Sequence, residues 1–454
     1  MRRYFGTDGI RRIANTELTP ELVYKVAKAG AYVLSKHTDH TPTILIGRDT
    51  RISGTLIESA MLAGFLSYGA NVKLLGVLPT PAVAYLTRKL KADASVVISA
   101  SHNTYEFNGI KFFSNKGMKI PDTLEEEIEE VMESGKLDEL TAVNDKIGVS
   151  EYRQDLMDEY VYFFRKNFDD VIENNMKEDF IVGVDTANGA TSQVAPKIFD
   201  ALGIKYKIIN NQPDGININE NCGSTHLDGL KKFVKDNKLS LGVAYDGDGD
   251  RCLAIDENGN EIDGDKLLAI ISNNLKEKGK LKKDTIVATV MSNLGLNKYA
   301  RDNALKLLQT KVGDRYVLEE MLKEGFNLGG EQSGHIILLD YNPTGDGILT
   351  SLMLIKTILE TGKKASELAN TIKLYPQVLI NSKVNPDKKY DYDKDPSIKQ
   401  AIEKLEKEFV GNGRVLIRPS GTEPLVRVMI EGEEQEYITK KAQEIADLIA
   451  EKLK

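Results

Sequence analysis

Three aspartates alternate with glycine in the stretch DGDGDR, at Asp246, Asp248 and Asp250. Gly247 and Gly249 let the backbone bend tightly, so the three carboxylates can converge. Like charges that close repel unless a cation sits among them, and an all-oxygen donor set selects a hard ion, Mg2+ or Ca2+. Cys252 follows Arg251 and is expected to pack inward, which leaves no ligand set for zinc. A solvated acidic turn is the competing reading. An EF-hand loop fits poorly, because the preceding LSLGVAY reads as a strand.

A second candidate lies in ASVVISASHNTYEFNGIKFF, residues 94–113. A buried apolar run delivers Ser101, His102 and Asn103 at its end, with Lys111 two residues past Gly109. Ser101 is a nucleophile, a phosphate carrier or the cap of a following helix, since a serine oxygen at such a junction accepts helix N–H groups. Lys111 supplies a cation that can neutralise a phosphorylated serine and assist proton transfer. No GxSxG is present, so a hydrolase elbow is not indicated. In GGEQSGH, alternate spacing on an extended loop would put Glu331, Ser333 and His335 on one side, suited to two neighbouring sugar hydroxyls and a general acid or base. A glycine-rich turn with a packed histidine is the plainer alternative. In RPSGTEPLVR, Arg418, Ser420, Gly421, Thr422 and Arg427 supply the forks, hydroxyls and free N–H groups of a phosphate cradle. The Walker arrangement is missing, so an ATP site is not implied.

The elements that must hold these loops follow one pattern three times: strand, polar loop, helix, strand, helix, and a last strand ending in a motif. The copies open at TILIGRDTRISG, FIVGVDTANGA and TIVATVMSNLG and close at SVVISASHN, LSLGVAYDGDGDR and FNLGGEQSGH. Helical pieces show apolar spacing near 3.6 and strands are short apolar runs. Alternating strands and helices imply an α/β fold with largely parallel sheets covered on both faces, whose strand ends carry the sites. The tail reads as a small α+β domain. The expected domains are 1–154 with the serine loop, 155–255 with the acidic loop, 256–370 with the GGEQSGH loop and 371–454 with the RPSGTEP loop.

Composition narrows the classes. A chain of 454 residues exceeds one core. A net charge of −8 disfavours nucleic acid, so an anionic substrate would need a local cluster of Arg and Lys. The two cysteines, Cys222 and Cys252, exclude a disulfide scaffold and suit a reducing compartment. No apolar run approaches the roughly 20 residues that span a bilayer, and MRRYFGTDGI is not a signal segment. A cytoplasmic location without membrane or nucleic-acid partners is expected.

These four motifs, in this order, resemble the α-D-phosphohexomutase superfamily over essentially the whole chain. The resemblance implies three similar α/β domains plus a smaller α+β C-terminal domain around one central cleft. It implies that Ser101 carries a phosphoryl group and, with Asp246, Asp248 and Asp250, holds one Mg2+ per active site. Ser101, His102, Lys111, Arg11 and His335 would be catalytic. Arg251, Glu331, Ser333, Arg418, Ser420, Gly421, Thr422 and Arg427 would bind substrate, the last five gripping the phosphate that does not react. Within the superfamily, YFGTDGIR, GRDTRISG, LPTPAVAYLTR, DGININENCGSTH, VGDRYV and GGEQSGHI resemble the phosphoglucosamine mutase subfamily. Two positions depart from the family pattern: Arg12 replaces the glycine of GTDGIRG, and Thr104 replaces the proline of SHNP.

The activity implied is interconversion of glucosamine 6-phosphate and glucosamine 1-phosphate. It would run through glucosamine 1,6-bisphosphate as intermediate and activator, and feed UDP-N-acetylglucosamine synthesis. Small sugar phosphates would be the partners, with a homodimer as the candidate assembly. The rival in the same superfamily is a mutase of glucose or mannose phosphates. The rival from another class is a non-catalytic sugar-phosphate or divalent-metal binding protein.

Overall fold

Short apolar runs bounded by polar or glycine turns form the strands. The computed structural model describes residues 3–6, 8–420 and 424–454. The first sheet contains β1 (Ile10–Ile13), β2 (Thr43–Arg48), β3 (Asn71–Val77), β4 (Ala94–Ile98), β5 (Phe107–Ser114) and β6 (Ser150–Tyr152), in the order β1-β5-β4-β2-β3-β6. The second contains β7 (Val182–Asp185), β8 (Tyr206–Ile209), β9 (Leu241–Tyr245), β10 (Cys252–Asp256) and β11 (Glu261–Ile262), in the order β11-β10-β9-β7-β8. The third contains β12 (Thr285–Thr289), β13 (Lys306–Thr310), β14 (Leu328–Gly330) and β15 (Ile336–Leu338), in the order β13-β12-β14-β15.

One four-strand core recurs in all three sheets: β3-β2-β4-β5, β8-β7-β9-β10 and β13-β12-β14-β15. In each, the pairs β2–β4, β7–β9 and β12–β14 are parallel. The last strand returns antiparallel, as β4–β5, β9–β10 and β14–β15. The sheets are therefore mixed. The threefold pattern agrees with the sequence reading; the returning strand departs from its largely parallel sheets, because an apolar run carries no mark of direction. The hairpin β10–β11 also carries the second sheet to Ile262, past residue 255, where the sequence suggests a boundary.

Central strands are buried on both faces, which is why they read as unbroken apolar runs. Val96, Val97 and Ile98 of β4 and Val243 of β9 are fully buried. Each such side chain contributes about 1.5–3 kcal/mol through burial. Helices Gly54–Tyr68 and Thr80–Lys89 pack on β2 to β4. Helix Gly347–Thr361 starts at Asp346, whose side chain accepts Leu349 N–H at 2.9 Å and the Tyr160 hydroxyl at 2.7 Å.

Two compact units result, residues 1–291 with 308–371, and residues 292–307 with 372–454. The second holds an antiparallel sheet of β16 (Gln377–Lys383), β17 (Gly413–Pro419) and β18 (Leu425–Gly432), in the order β16-β18-β17. Helices Pro396–Glu408 and Gln435–Lys452 bury Ile398, Leu405, Ile438 and Ile449 with Val426, Val428 and Ile430 of β18 in one core. Among the described residues, no helix is long and apolar enough to cross a membrane.

Candidate active site

The recurring core places the three motifs in one topological slot. Residues 99–106 link β4 to β5, residues 246–251 link β9 to β10, and residues 331–335 link β14 to β15. Each link leaves the carboxyl end of a parallel strand, where open α/β sheets carry their sites.

The serine loop is held by its backbone. Ser101 has φ 51°, a left-handed conformation that costs a non-glycine residue roughly 1–2 kcal/mol. Compensation comes from the buried Arg51. Its guanidinium donates to the carbonyls of Ser101 and Asn103 at 2.9 Å, of Phe107 at 3.1 Å, and of Thr104. Asn219 donates to Ser101 O at 2.9 Å and Asn103 O at 2.8 Å. Asp49 pairs with Arg51 at 2.8 Å and accepts the Ser99 hydroxyl at 2.6 Å, while Ser99 Oγ accepts Ser101 N–H at 2.9 Å. Thr104, which replaces the family's proline, is thus tied through its carbonyl, which any residue provides.

The acidic loop meets this serine. Ser101 Oγ donates to Asp246 Oδ2 at 2.6 Å, and His102 Nδ1 lies 3.4 Å from Ser101 Oγ. A side chain on Gly247 would approach Ser101 O to 2.6 Å, so glycine is required for the two loops to touch. Asp248 Oδ2 accepts Lys111 Nζ and the Thr80 hydroxyl, each at 2.8 Å. Lys111 comes from β5, opposite Val97 of β4, and is 1% exposed.

Asp246, Asp248 and Asp250 each present an oxygen within 4.8 Å of the others. Among the described residues, the buried Oδ1 atoms of Asp248 and Asp250 have no hydrogen-bond partner. Burial, then the charges of Asp250 and Asp248, push the Asp246 carboxyl well above the usual range. Unpartnered oxygens and excess negative charge fit a hard divalent cation, so the triad could hold a metal. Burial opposes the Lys111 ammonium, but Asp248, Asp8 and Asp250 outweigh it and raise its pKa, so Lys111 acts as a fixed positive charge. Burial, then Arg251 and Arg11, lower His102 to about 4, which keeps the imidazole neutral near pH 7.

The third loop differs from the extended strip that the sequence suggests. Gly334 N–H donates to Glu331 O, and Glu331 N–H to His335 O, both at 3.0 Å, which closes a tight turn. Its side chains therefore do not alternate on one face. Glu331 accepts Gly313 N–H at 3.2 Å, and Ser333 Oγ is a buried atom without a partner among the described residues. His335 lies beneath, with Nδ1 3.5 Å from Asp250 and Nε2 3.4 Å from Asp314. Gly345 N–H also reaches Nε2 at 3.0 Å. Nε2 accepts that N–H, which leaves the Nδ1 side of the ring to face Asp250. Burial opposes the charged ring, but Asp250 and Asp314 outweigh it, so the pKa is raised.

Arg11, on β1 opposite Gly109, is held by Asp8. Arg251 donates its N–H to Asp246 Oδ1 at 3.2 Å, and its Nε lies 3.8 Å from Asp250 Oδ1. Ser101, His102, Lys111, Arg251, His335 and the three aspartates thus share one neighbourhood. Sequence reasoning missed Asp8, Asp49, Arg51, Thr80, Lys119, Asn219 and Asp314. Asp8, Asp49, Arg51, Thr80, Asn219 and Asp314 sit inside the stretches that suggested the subfamily, which was the available signal; Lys119 carries none.

In the second unit, Arg418 of β17 stands directly opposite Arg427 of β18. Burial, then Arg427, lower the Arg418 pKa. Like charges directly opposite destabilise a sheet, and an anion between them would relieve that. Ser420 is buried, and its N–H donates to Leu425 O at 2.8 Å. Gly421 and Thr422 lie outside the described residues.

Comparison with known proteins identifies the family. The phosphoglucomutase/phosphomannomutase alpha/beta/alpha domains I, II and III match residues 2–139, 158–259 and 263–375, and the C-terminal domain of that family matches 379–448. The chain is 54% identical to the phosphoglucosamine mutase of Ruminiclostridium cellulolyticum, covering 100% of both chains. In fold it is similar to a putative phosphomannomutase from Thermus thermophilus (TM-score 0.80, 22% identity, 98% and 100% of the two chains). It is likewise similar to the N-acetylphosphoglucosamine mutase of Aspergillus fumigatus, solved with GlcNAc-6P and magnesium (TM-score 0.65, 16% identity, 100% and 96%). The four-domain match and the full-length identity place the chain in the phosphoglucomutase/phosphomannomutase family, and within it among the phosphoglucosamine mutases, as an enzyme of the phosphohexomutase type.

Proposed function

We propose that the protein interconverts glucosamine 6-phosphate and glucosamine 1-phosphate by passing a phosphoryl group through Ser101. The observation that carries this is the contact of the Ser101 hydroxyl with the buried aspartate triad, in a loop whose strained backbone is pinned from below. In the forward direction the phosphorus–Oγ bond of phospho-Ser101 breaks as a bond to sugar O1 forms, giving glucosamine 1,6-bisphosphate. The intermediate reorients, the phosphorus–O6 bond breaks, and the phosphoryl group returns to Ser101 Oγ. The sugar leaves as glucosamine 1-phosphate and the serine is ready again.

Phosphoryl transfer is mostly positioning and charge stabilisation. Asp246, Asp248 and Asp250, with the Ser101 phosphate, would hold Mg2+, which supplies charge stabilisation for the transferring group. Lys111 and Arg251 add fixed positive charge. Neutral His102 and the two-partner His335 are the proton-handling groups. Glu331 and Ser333 read the sugar hydroxyls, and Arg418, Ser420, Gly421, Thr422 and Arg427 grip the phosphate that stays. The segments 1–154, 155–255, 256–370 and 371–454 serve as the four domains, with the second extended by its hairpin.

Steady-state turnover on glucosamine, glucose and mannose 6-phosphates tests the substrate, and peptide mapping of intact enzyme tests the carrier. The expected result is highest kcat/KM with the amino sugar and a phosphate adduct on Ser101. Better turnover of glucose or mannose 6-phosphate would overturn the substrate, and an active enzyme whose phosphate maps elsewhere would overturn the carrier.

A further inference from the structure

Behind the aspartate triad the side chains close a ring. Lys111 Nζ lies 3.8 Å from Asp250 and 3.2 Å from Asp8. Asp8 pairs with Lys119, and Lys119 Nζ lies 2.7 Å from Asp314. Asp314 lies 3.4 Å from His335 Nε2, and His335 Nδ1 lies 3.5 Å from Asp250. Three carboxylates and two ammonium groups alternate along the circuit, and His335 closes it between Asp314 and Asp250. Its members come from four places in the chain: the turn before β1, the β5 region, the acidic loop after β9, and the segment that runs from helix Asp314–Glu324 to β15.

We propose that Asp8, Lys119 and Asp314 are positioning residues of the phosphoryl transfer, holding Lys111 and His335 against Asp248 and Asp250. This rests on the roles given above to Ser101, Lys111 and His335. Lys119 is placed by a turn after β5: Ser114 N–H donates to Met118 O at 2.8 Å, and Lys119 bridges Phe113. The strand that carries Lys111 thereby also delivers Lys119. Its ammonium is the cation between Asp8 and Asp314, two carboxylates mostly screened from water.

Burial works against each of these charges, yet neighbours lower Asp8 and Asp314 and raise Lys119, so all three stay ionised. Without Lys119, Asp8 and Asp314 would lose the cation between them. Asp8 would then lean harder on Arg11 and Lys111, and Asp314 on the His335 ring, drawing Lys111 and His335 from the triad. Asp8, Lys119 and Asp314 themselves are given no substrate contact, so the damage should fall on kcat rather than KM.

The test is kinetics of Lys119→Met, Lys119→Arg, Asp314→Asn and the double variant Lys119→Met/Asp314→Asn. Melting temperature is followed in parallel, and Lys111→Met serves as reference. Lys119→Met should lower kcat by roughly tenfold or more, the scale of coupling in a shared charge network, with KM for glucosamine 6-phosphate little changed. Lys119→Arg should restore most of kcat. The double variant should be faster than Lys119→Met alone, because it removes the carboxylate left without its cation. Asp314→Asn keeps the shape of the site and should lower kcat even if Lys119→Met folds poorly.

Wild-type kcat in both Lys119→Met and Asp314→Asn would overturn the proposal. So would equal losses in every variant, unrelieved by Arg or by the second substitution. If Lys111→Met is inactive while Lys119→Met is unaffected, the ring fails and the site reading stands. If Lys111→Met also keeps full turnover, the site reading itself fails.

Discussion

The Ser101 hydroxyl donates to Asp246 Oδ2 at 2.6 Å although 145 positions separate the two residues in the chain. Each sits in the link between the third and fourth strands of its own copy of the four-strand core. The hydroxyl and the carboxylate meet because two copies of one strand pattern present the same slot to each other.

On the proposed mechanism, removing the hydroxyl removes the covalent step, for which no other group substitutes. Ser101→Ala is expected to lose almost all mutase activity while keeping the wild-type circular dichroism and melting temperature. Turnover by a coupled assay and a phosphopeptide map, in which the adduct disappears, check this together.

The unpartnered oxygen of Asp248 predicts a metal effect that can be read without turnover. Asp248→Asn should weaken Mg2+ binding in titration calorimetry by roughly tenfold or more, since loss of even an outer partner of a ligand costs 10–100-fold in affinity. Chelation should silence the wild-type enzyme, and Mg2+ should restore it. Undiminished affinity in Asp248→Asn would remove this residue from the metal site.

Arg51 has one side chain for four backbone carbonyls and a buried carboxylate partner. Arg51→Met leaves Asp49 buried and unpaired, a change that typically costs about 3–5 kcal/mol. The urea midpoint should fall accordingly. Arg51→Lys, a point charge without a fork, should recover part of the stability and little of the activity.

Much of this was legible in the sequence and some was not. The strand ends that carry Ser101 and Asp246 announce themselves, because a continuous apolar run broken by a polar loop has few other uses. Arg51 does not, since GRDTRISG reads equally well as a surface turn; its function depends on carbonyls some fifty positions away, which no local pattern encodes. Lys119 is hidden for the same reason. Strand direction was also invisible: β5, β10 and β15 have the composition of parallel strands but run the other way. The turn at Glu331–His335 escaped because glycines license both an extended and a folded loop.

Asp346 gives a pH signature. Burial raises its carboxyl to about 6, against the N–H of Leu349 and the Tyr160 hydroxyl, which favour the charged form. The folded protein therefore binds a proton more tightly than the unfolded chain, whose aspartate titrates near 3.9. Stability from this group is greatest below about pH 4, falls as pH rises, and has fallen fully above about pH 6. Asp346→Asn retains the helix cap and removes the titration. Its denaturation midpoint should vary less between pH 4.5 and 7.5 than that of the wild type; an unchanged slope would mean another group is responsible.

The opposed Arg418 and Arg427 should bind an anionic group of the substrate. A hydrogen bond to a charged group contributes about 1.5–3 kcal/mol, so Arg418→Ala should raise KM for glucosamine 6-phosphate by roughly tenfold or more. A modest gain in the stability of the free enzyme should accompany it, because one of two repelling charges is gone. Steady-state kinetics and a melting curve without substrate separate the two effects.

The shared slot of the three loops also bears on synthesis of the chain. A ribosome that has released only the first sheet has made Ser101, Arg51 and Lys111 but none of the acidic triad, which begins at residue 246. On the proposed mechanism the carrier serine is thus made well before anything can charge it, and His335 arrives later still. Long-range pairings of this kind form late and slowly. On that reading a truncated or half-translated product is catalytically silent, and turnover reports that synthesis has gone at least as far as the third sheet.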